Sequence, residues 1–192
     1  MTRLPRTFFA DHTVRVARAL LGCYLVHETS EGRMVGRLAE VEAYCGPRDP
    51  ASHAYRRTAR SEVMWGLPGT AYVYLSHGTH ACINVVTEPL GRPGAVLLRA
   101  LEPVEGLALM ERRRGTDSLR ILASGPGRLT QAMGITLAHN RADLVTGPLF
   151  LARGDRSARA IAVTPRIGIS VATDRRWRFV FRGSAFLSRP VR

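Results

Sequence analysis

The run Ala39-Glu40-Val41-Glu42-Ala43-Tyr44 ends a strand-like stretch and opens onto a loop rich in Gly, Pro, Arg and Ser. Alternate side chains of an extended chain share a face, which sets Glu40, Glu42 and Tyr44 side by side. A carboxylate at a loop mouth can act as a general base, and a solvated strand edge would carry the same two glutamates with no chemistry at all. Aromatic company favours the first reading. Tyr44, His53, Tyr72 and Tyr74 all fall in the loop or near expected strand ends, and planar side chains around a carboxylate suit stacking on a nucleobase.

Arg99 interrupts the apolar run Val96-Leu97-Leu98-Arg99-Ala100-Leu101. Burial there requires a carboxylate or another anion as partner, whereas an exposed edge strand requires none. The turn Ser124-Gly125-Pro126-Gly127-Arg128 offers backbone N–H groups at a helix start, which can cradle a phosphate or simply begin a helix. His77, His80 and Cys82 straddle a turn and lack a fourth partner, so no metal is expected there.

Charge narrows the partner. The 192 residues carry 28 basic and 15 acidic side chains, a net charge of +13, and every basic one is arginine. The arginine fork matches phosphate oxygens, and a shortage of acidic residues is not explained by codon preference, so a nucleic acid is the expected partner. With no lysine there is no lysine Schiff base and no P-loop. Three widely spaced cysteines, Cys23, Cys45 and Cys82, make neither a disulfide framework nor a zinc knuckle, which fits a reduced cytosolic setting. The N-terminus lacks an apolar signal region and no stretch approaches a bilayer span, so the expectation is neither a secreted nor a membrane protein.

The elements that must position these residues follow from periodicity. Apolar positions from Val14 to Leu21 recur at helical spacing before Gly22, and Cys23–Glu28 with Met34–Tyr44 form a hairpin around Thr29-Ser30-Glu31-Gly32. Residues 45–70 form a long loop with one helical turn near Ser61–Trp65, a length usual for functional or disordered loops. Ala71–Leu75 and His80–Val86 make a second hairpin with His77 at its tip. Ala95–Leu101 is a strand, Pro103–Arg113 a helix, and a further helix runs from the Ser124 turn to Met133 before Gly134. Strands near Leu149–Ala152, Ile167–Val171 and Arg178–Phe181 complete the set. A single α+β domain spanning residues 1–192 is expected, with a curved, mainly antiparallel sheet flanked by helices.

Eight segments, in order, carry a resemblance. Leu4–Phe9, Glu40–Tyr44 with Gly46–Asp49 and Ala51–His53, Pro68–Tyr74, Cys82–Val85, Leu97–Pro103, Ser124–Pro126, Pro165–Gly168 and Phe181–Ser184 together resemble the alkyladenine (3-methyladenine) DNA glycosylase family. The resemblance implies a monofunctional base-excision repair enzyme, without metal or cofactor. Such an enzyme flips alkylated or deaminated purines of the 3-methyladenine, 7-methylguanine, hypoxanthine and ethenoadenine class from duplex DNA and hydrolyses the N-glycosidic bond.

Carried over by motif, Glu42 is the base that activates water, and Arg99 and the Ile167 carbonyl help hold that water. Tyr44, His53 and Tyr74 sandwich the flipped base, and Asn84 crowds the amine of normal guanine. Arg60, His77, Thr79, Ser124, Gly125 and Arg128 are the expected DNA contacts, His77 and Thr79 among them on a hairpin expected to protrude and insert into DNA. Glu40 receives no role, and its replacement is expected to matter far less than that of Glu42. The family usually has a tyrosine at the tip where this chain has His77. A monomer in a DNA-containing compartment, cytoplasmic and nucleoid-associated in a bacterial-type cell, is the resulting expectation. The competing reading is a non-catalytic lesion binder on the same scaffold, which would need neither Glu42 nor Arg99; a metal-dependent nuclease would need clustered carboxylates.

Overall fold

A computed structural model describes residues 1–154 and 159–191. Two helices, α1 (Arg6–Phe9) and α2 (Thr13–Leu20), lead into the hairpin β1 (Tyr24–Thr29) and β2 (Gly32–Tyr44). After the long loop come β3 (Ala71–Ser76), β4 (His80–Val86) and β5 (Ala95–Glu105), then α3 (Leu107–Arg114), α4 (Leu119–Leu122) and α5 (Pro126–Met133). Strands β6 (Leu149–Ala152), β7 (Ile161–Thr164) and β8 (Arg178–Phe181) finish the chain. The strands form one antiparallel sheet in the order β3-β4-β5-β2-β1-β6, with β8 joined to β2 and β7 to β8. The α+β class is as expected. Among the described residues no helix is long and apolar enough to cross a membrane.

Three boundaries differ from the sequence expectation. Pro103 lies inside β5, not at a helix start, opposite Gly36 beside a register shift. Proline lacks an N–H and is tolerated in a sheet where the ladder is already broken. Gly106, at φ 77°, then turns the chain into α3. Ile167–Val171 is not a strand; the pairing partner of β8 is Ile161–Thr164, a run too short to show a period. The long loop holds three single 3₁₀ turns, at Gly46–Arg48, His53–Tyr55 and Glu62–Trp65.

Strand β2 is the axis of the fold. Its first half pairs with β1, its second half with β8, and β5 runs along its other side. Helix α2 packs on β2 and β5 through buried Val16, Ala17 and Leu20, each contributing to the core with Val41 and Ala43. A fully buried side chain of the Val or Leu type contributes about 1.5–3 kcal/mol, so this face holds the sheet to its helices. Glu40 and Glu42 alternate with Val41 and Ala43 and therefore turn to the opposite face. The register there is irregular: it skips Ala39 on β2 and Arg99 on β5. A bulge leaves one residue outside the ladder and re-aims its side chain, and here it frees Arg99 to meet both glutamates.

Candidate active site

Glu40 and Glu42 are both completely buried, so the solvated-edge alternative does not hold, and Arg99 is buried with them. The Glu42 carboxylate accepts from three donors: Ile167 N–H at 2.7 Å, the Tyr44 hydroxyl at 2.9 Å and Arg99 Nη1 at 3.3 Å. A carboxylate has about four lone-pair directions, which leaves one for a water or a sugar. Burial raises the Glu42 pKa from the ordinary carboxylate value, against the lowering pull of Arg99, the Ile167 amide and Tyr44. Burial also disfavours the Arg99 charge, but the two glutamates outweigh it and hold its pKa above the usual arginine value. The result is a carboxylate more basic than one in water, with its position fixed on three sides. Ile167 touches Glu42 through its amide N–H.

Beside this group lies a cavity of about 330 Å³ whose lining includes Tyr44, His53, Tyr72, Tyr74, Asn84 and Gly168. Its size falls at the lower end for small-molecule sites and suits a single planar ligand. Glu42 and Arg99 do not line it; they sit behind Tyr44, whose hydroxyl bridges to the carboxylate. Burial, then the Glu42 charge, pushes the Tyr44 pKa well above the phenol value, so it stays a donor. The His53 and Tyr74 rings meet edge-on with centroids 4.6 Å apart. His53 Nδ1 shares a hydrogen bond of 2.8 Å with the Tyr72 hydroxyl, and burial followed by Arg60 lowers its pKa, keeping the imidazole neutral. Asn84 is fixed by its amide donating to the Tyr72 carbonyl across the β3–β4 ladder at 3.1 Å.

Three residues here received no role in the sequence reading. Tyr72 adds a further ring to the cavity beside Tyr44, His53 and Tyr74, tilted on Tyr74 with centroids 5.2 Å apart. Asp49 and Arg166 form a buried bidentate pair at 2.6 and 2.8 Å, and Arg166 also donates to the Ala43 carbonyl at 3.0 Å. The guanidinium carbon stands 4.6 Å from the centre of the Tyr44 ring. This pair clamps the start of the long loop to the segment bearing Ile167, and so sets both Tyr44 and the amide on Glu42. Each belongs to a quoted motif, yet partners 117 positions apart give no local signal.

The expected DNA contacts divide between two places. His77, at φ 50°, and Gly78, at φ 72°, are the central residues of the turn Ser76–Thr79, closed by Thr79 N–H to the Ser76 carbonyl, within the three-residue loop that joins β3 to β4. The turn leaves His77 and Thr79 exposed. Arg60 stacks 4.8 Å from the Tyr74 ring centre at the cavity rim. A neighbouring groove of about 450 Å³ joins His77 to Ser124, Gly125, Arg128 and Arg114. Gly125, at φ 144° and ψ 151°, occupies a region open only to glycine, and a Cβ on Gly127 would come 2.8 Å from His80. Helix α5 can therefore start close against β4, with Arg128 Nη1 3.3 Å from Ser124 Oγ. Among the described residues no His, Cys, Asp and Glu cluster could hold a metal ion.

The chain is similar to known proteins over nearly its whole length. Residues 7–185 match the family model described as methylpurine-DNA glycosylase (MPG). Three similar proteins each carry the name "Putative 3-methyladenine DNA glycosylase". One from Rhodopseudomonas palustris (strain BisB18) is 50% identical over 98% of this chain and 92% of its own length. One from Carboxydothermus hydrogenoformans is 47% identical over 97% and 98%, and one from Methanoculleus marisnigri is 50% identical over 97% and 98%. With a match running from the first helix to beyond the last strand, the chain belongs to the methylpurine-DNA glycosylase family.

Proposed function

We propose that this protein excises alkylated and deaminated purines, 3-methyladenine, 7-methylguanine, hypoxanthine and ethenoadenine among them, from duplex DNA. In this reading the base leaves the stack and enters the aromatic cavity between Tyr44, His53 and Tyr74, with Asn84 rejecting normal guanine by its bulk. Extrusion costs a few kcal/mol, offset by stacking in the cavity and by a side chain filling the vacated space. Glu42 takes a proton from the attacking water, which Arg99 and the Ile167 carbonyl help hold, and balances the positive charge that develops on the sugar. Ring-methylated purines such as 3-methyladenine and 7-methylguanine are cationic in DNA, and aromatic faces attract cations by about 0.5–2 kcal/mol. The observation that carries the reading is the buried Glu42 carboxylate, three donors holding it and one direction open, directly behind the tyrosine of an aromatic cavity.

A non-catalytic lesion binder on this scaffold would gain nothing from a buried Glu42–Arg99 pair. The two are separated by incubating the protein with a duplex holding one hypoxanthine, then working up half at neutral pH and half in alkali. The expected product is an abasic strand, intact at neutral pH and broken only after alkali, because no lysine is present to form a Schiff base and eliminate the strand. Recovery of uncut strand after alkali would leave only the binder. Neutral cleavage with borohydride trapping would remove the monofunctional assignment and implicate the terminal amine.

His77 and Thr79 are the residues proposed to enter the vacated stack, with Ser124, Gly125 and Arg128 on the phosphates and Arg60 at the rim. An imidazole fills a base-sized gap less completely than a phenol. His77→Tyr is therefore expected to hold abasic product more tightly and to slow multiple turnover while leaving single-turnover excision near wild type. Equal product affinity for His77→Tyr, His77→Ala and wild type would mean that this side chain never meets DNA.

A further inference from the structure

We propose that Glu40 is a positioning residue for excision, fixing Arg99 toward Glu42 and tying the segment around Ser188 over the pair. The proposal rests on Glu42 being the general base. Glu40 is wholly buried and is the meeting point of four donors. Its Oε1 accepts from Arg99 Nε at 3.1 Å, Arg178 Nε at 2.7 Å and Ser188 Oγ at 2.7 Å; its Oε2 accepts from Ser188 N–H at 2.6 Å. Arg178 continues to the Arg189 carbonyl at 2.6 Å, and Arg99 Nη2 lies 3.4 Å from Ser188 Oγ. One carboxylate thus joins β2, β5, β8 and the C-terminal segment.

The geometry fixes what Arg99 presents to the base. A guanidinium is a rigid planar fork, so anchoring Nε on Glu40 leaves Nη1 as the edge turned to Glu42. Two carboxylates and two guanidiniums, Arg99 and Arg178, balance in this buried layer. Glu40→Gln would leave both guanidiniums facing a single carboxylate, and Arg99 would be free to close on Glu42. The groups that face Glu42 are Glu40 and Tyr44 from β2, Arg99 from β5, Arg178 across the ladder from β8, Tyr74 from β3, and Arg166 with the Ile167 amide. Of these only Glu40 adds negative charge, and it raises the Glu42 pKa. Its removal therefore lowers that pKa. Because Glu42 works unprotonated, the acid limb of the rate profile moves to lower pH, while the plateau falls as the base weakens and Arg99 shifts.

The test is single-turnover excision from a hypoxanthine duplex between about pH 5 and pH 8, with DNA affinity and circular dichroism measured alongside. Glu40→Gln is expected to lower the plateau about tenfold and to move the acid limb down by about half a pH unit or more, with DNA affinity kept. Glu40→Asp keeps the charge but not the reach, so its limb is expected to stay while its plateau falls. A purely structural role would reduce the active fraction and leave the limb in place, and that outcome overturns the proposal. Should Glu40→Gln not fold, Ser188→Ala decides: a plateau several-fold below wild type at equal DNA affinity supports the lock, and a wild-type plateau overturns it. Glu42→Gln separates the two readings. If it excises normally, Glu42 is not the base and both fall; if it is inactive while Glu40→Gln matches wild type in plateau and limb, only the role of Glu40 is lost.

Discussion

Glu42→Gln is expected to bind lesion-bearing DNA as wild type does and to excise at least about 10²-fold more slowly, the loss typical of removing a general base. The substitution keeps a carbonyl oxygen for the Ile167 amide but places an NH₂ group against Arg99 and Tyr44, both of which donate. Ground-state structure is still held, because Arg99 keeps its contact with Glu40. Single-turnover kinetics isolates the chemical step, and near-wild-type excision by this variant would remove Glu42 from the mechanism. The wild-type enzyme carries a matching pH signature. Burial raises the Glu42 pKa, so the unprotonated form is lost, and excision with it, at a pH above the ordinary carboxylate range. A wild-type rate that stays flat down to that ordinary range would contradict the assignment equally.

How much of this was legible in the sequence depends on the distance over which each feature is specified. The face shared by Glu40, Glu42 and Tyr44 follows from strand period alone and is found as expected, since Tyr44 bonds Glu42 directly. The hairpin tip at His77-Gly78 follows from two residues that tolerate positive φ. Arg99 was visible as an anomaly, a charge within an apolar strand that needed an anion, but its partners were not. The bulge that aims it between two glutamates is a property of strand pairing, and no local pattern encodes a skipped residue. Glu40 was undervalued for the same reason: three of its four donors come from β8 and the segment at Ser188, about 140 positions away. The charge excess was taken as a whole to point to a polyanion, yet Arg166 and Arg178, like Arg99, are core residues. Buried carboxylates match them, so the positive excess that points to a polyanion lies on the surface.

The Asp49–Arg166 clamp carries the largest expected effect on stability. Removing one partner of a buried pair leaves the other charge uncompensated, which costs about 3–5 kcal/mol. Arg166→Met, which keeps the apolar stem over Tyr44 and Trp177, is therefore expected to lower the urea-unfolding free energy by that amount and the melting temperature by about 10 °C. Among the described residues Asp49 would retain only the Cys45 and Ala51 amides and a distant Arg175, too little to replace two bonds to a guanidinium. The pair is not a perfect one, because Arg166 Nε is buried with no hydrogen-bond partner among the described residues. An apolar double replacement, Asp49→Leu with Arg166→Met, is thus expected to be less destabilised than Arg166→Met alone, a coupling that a double-mutant cycle measures. Excision has to fall in both variants even where they remain folded, since either change frees the segment that brings the Ile167 amide to Glu42. Stability of Arg166→Met within about 1 kcal/mol of wild type would mean that the clamp is solvated in solution and that the loop is held from elsewhere.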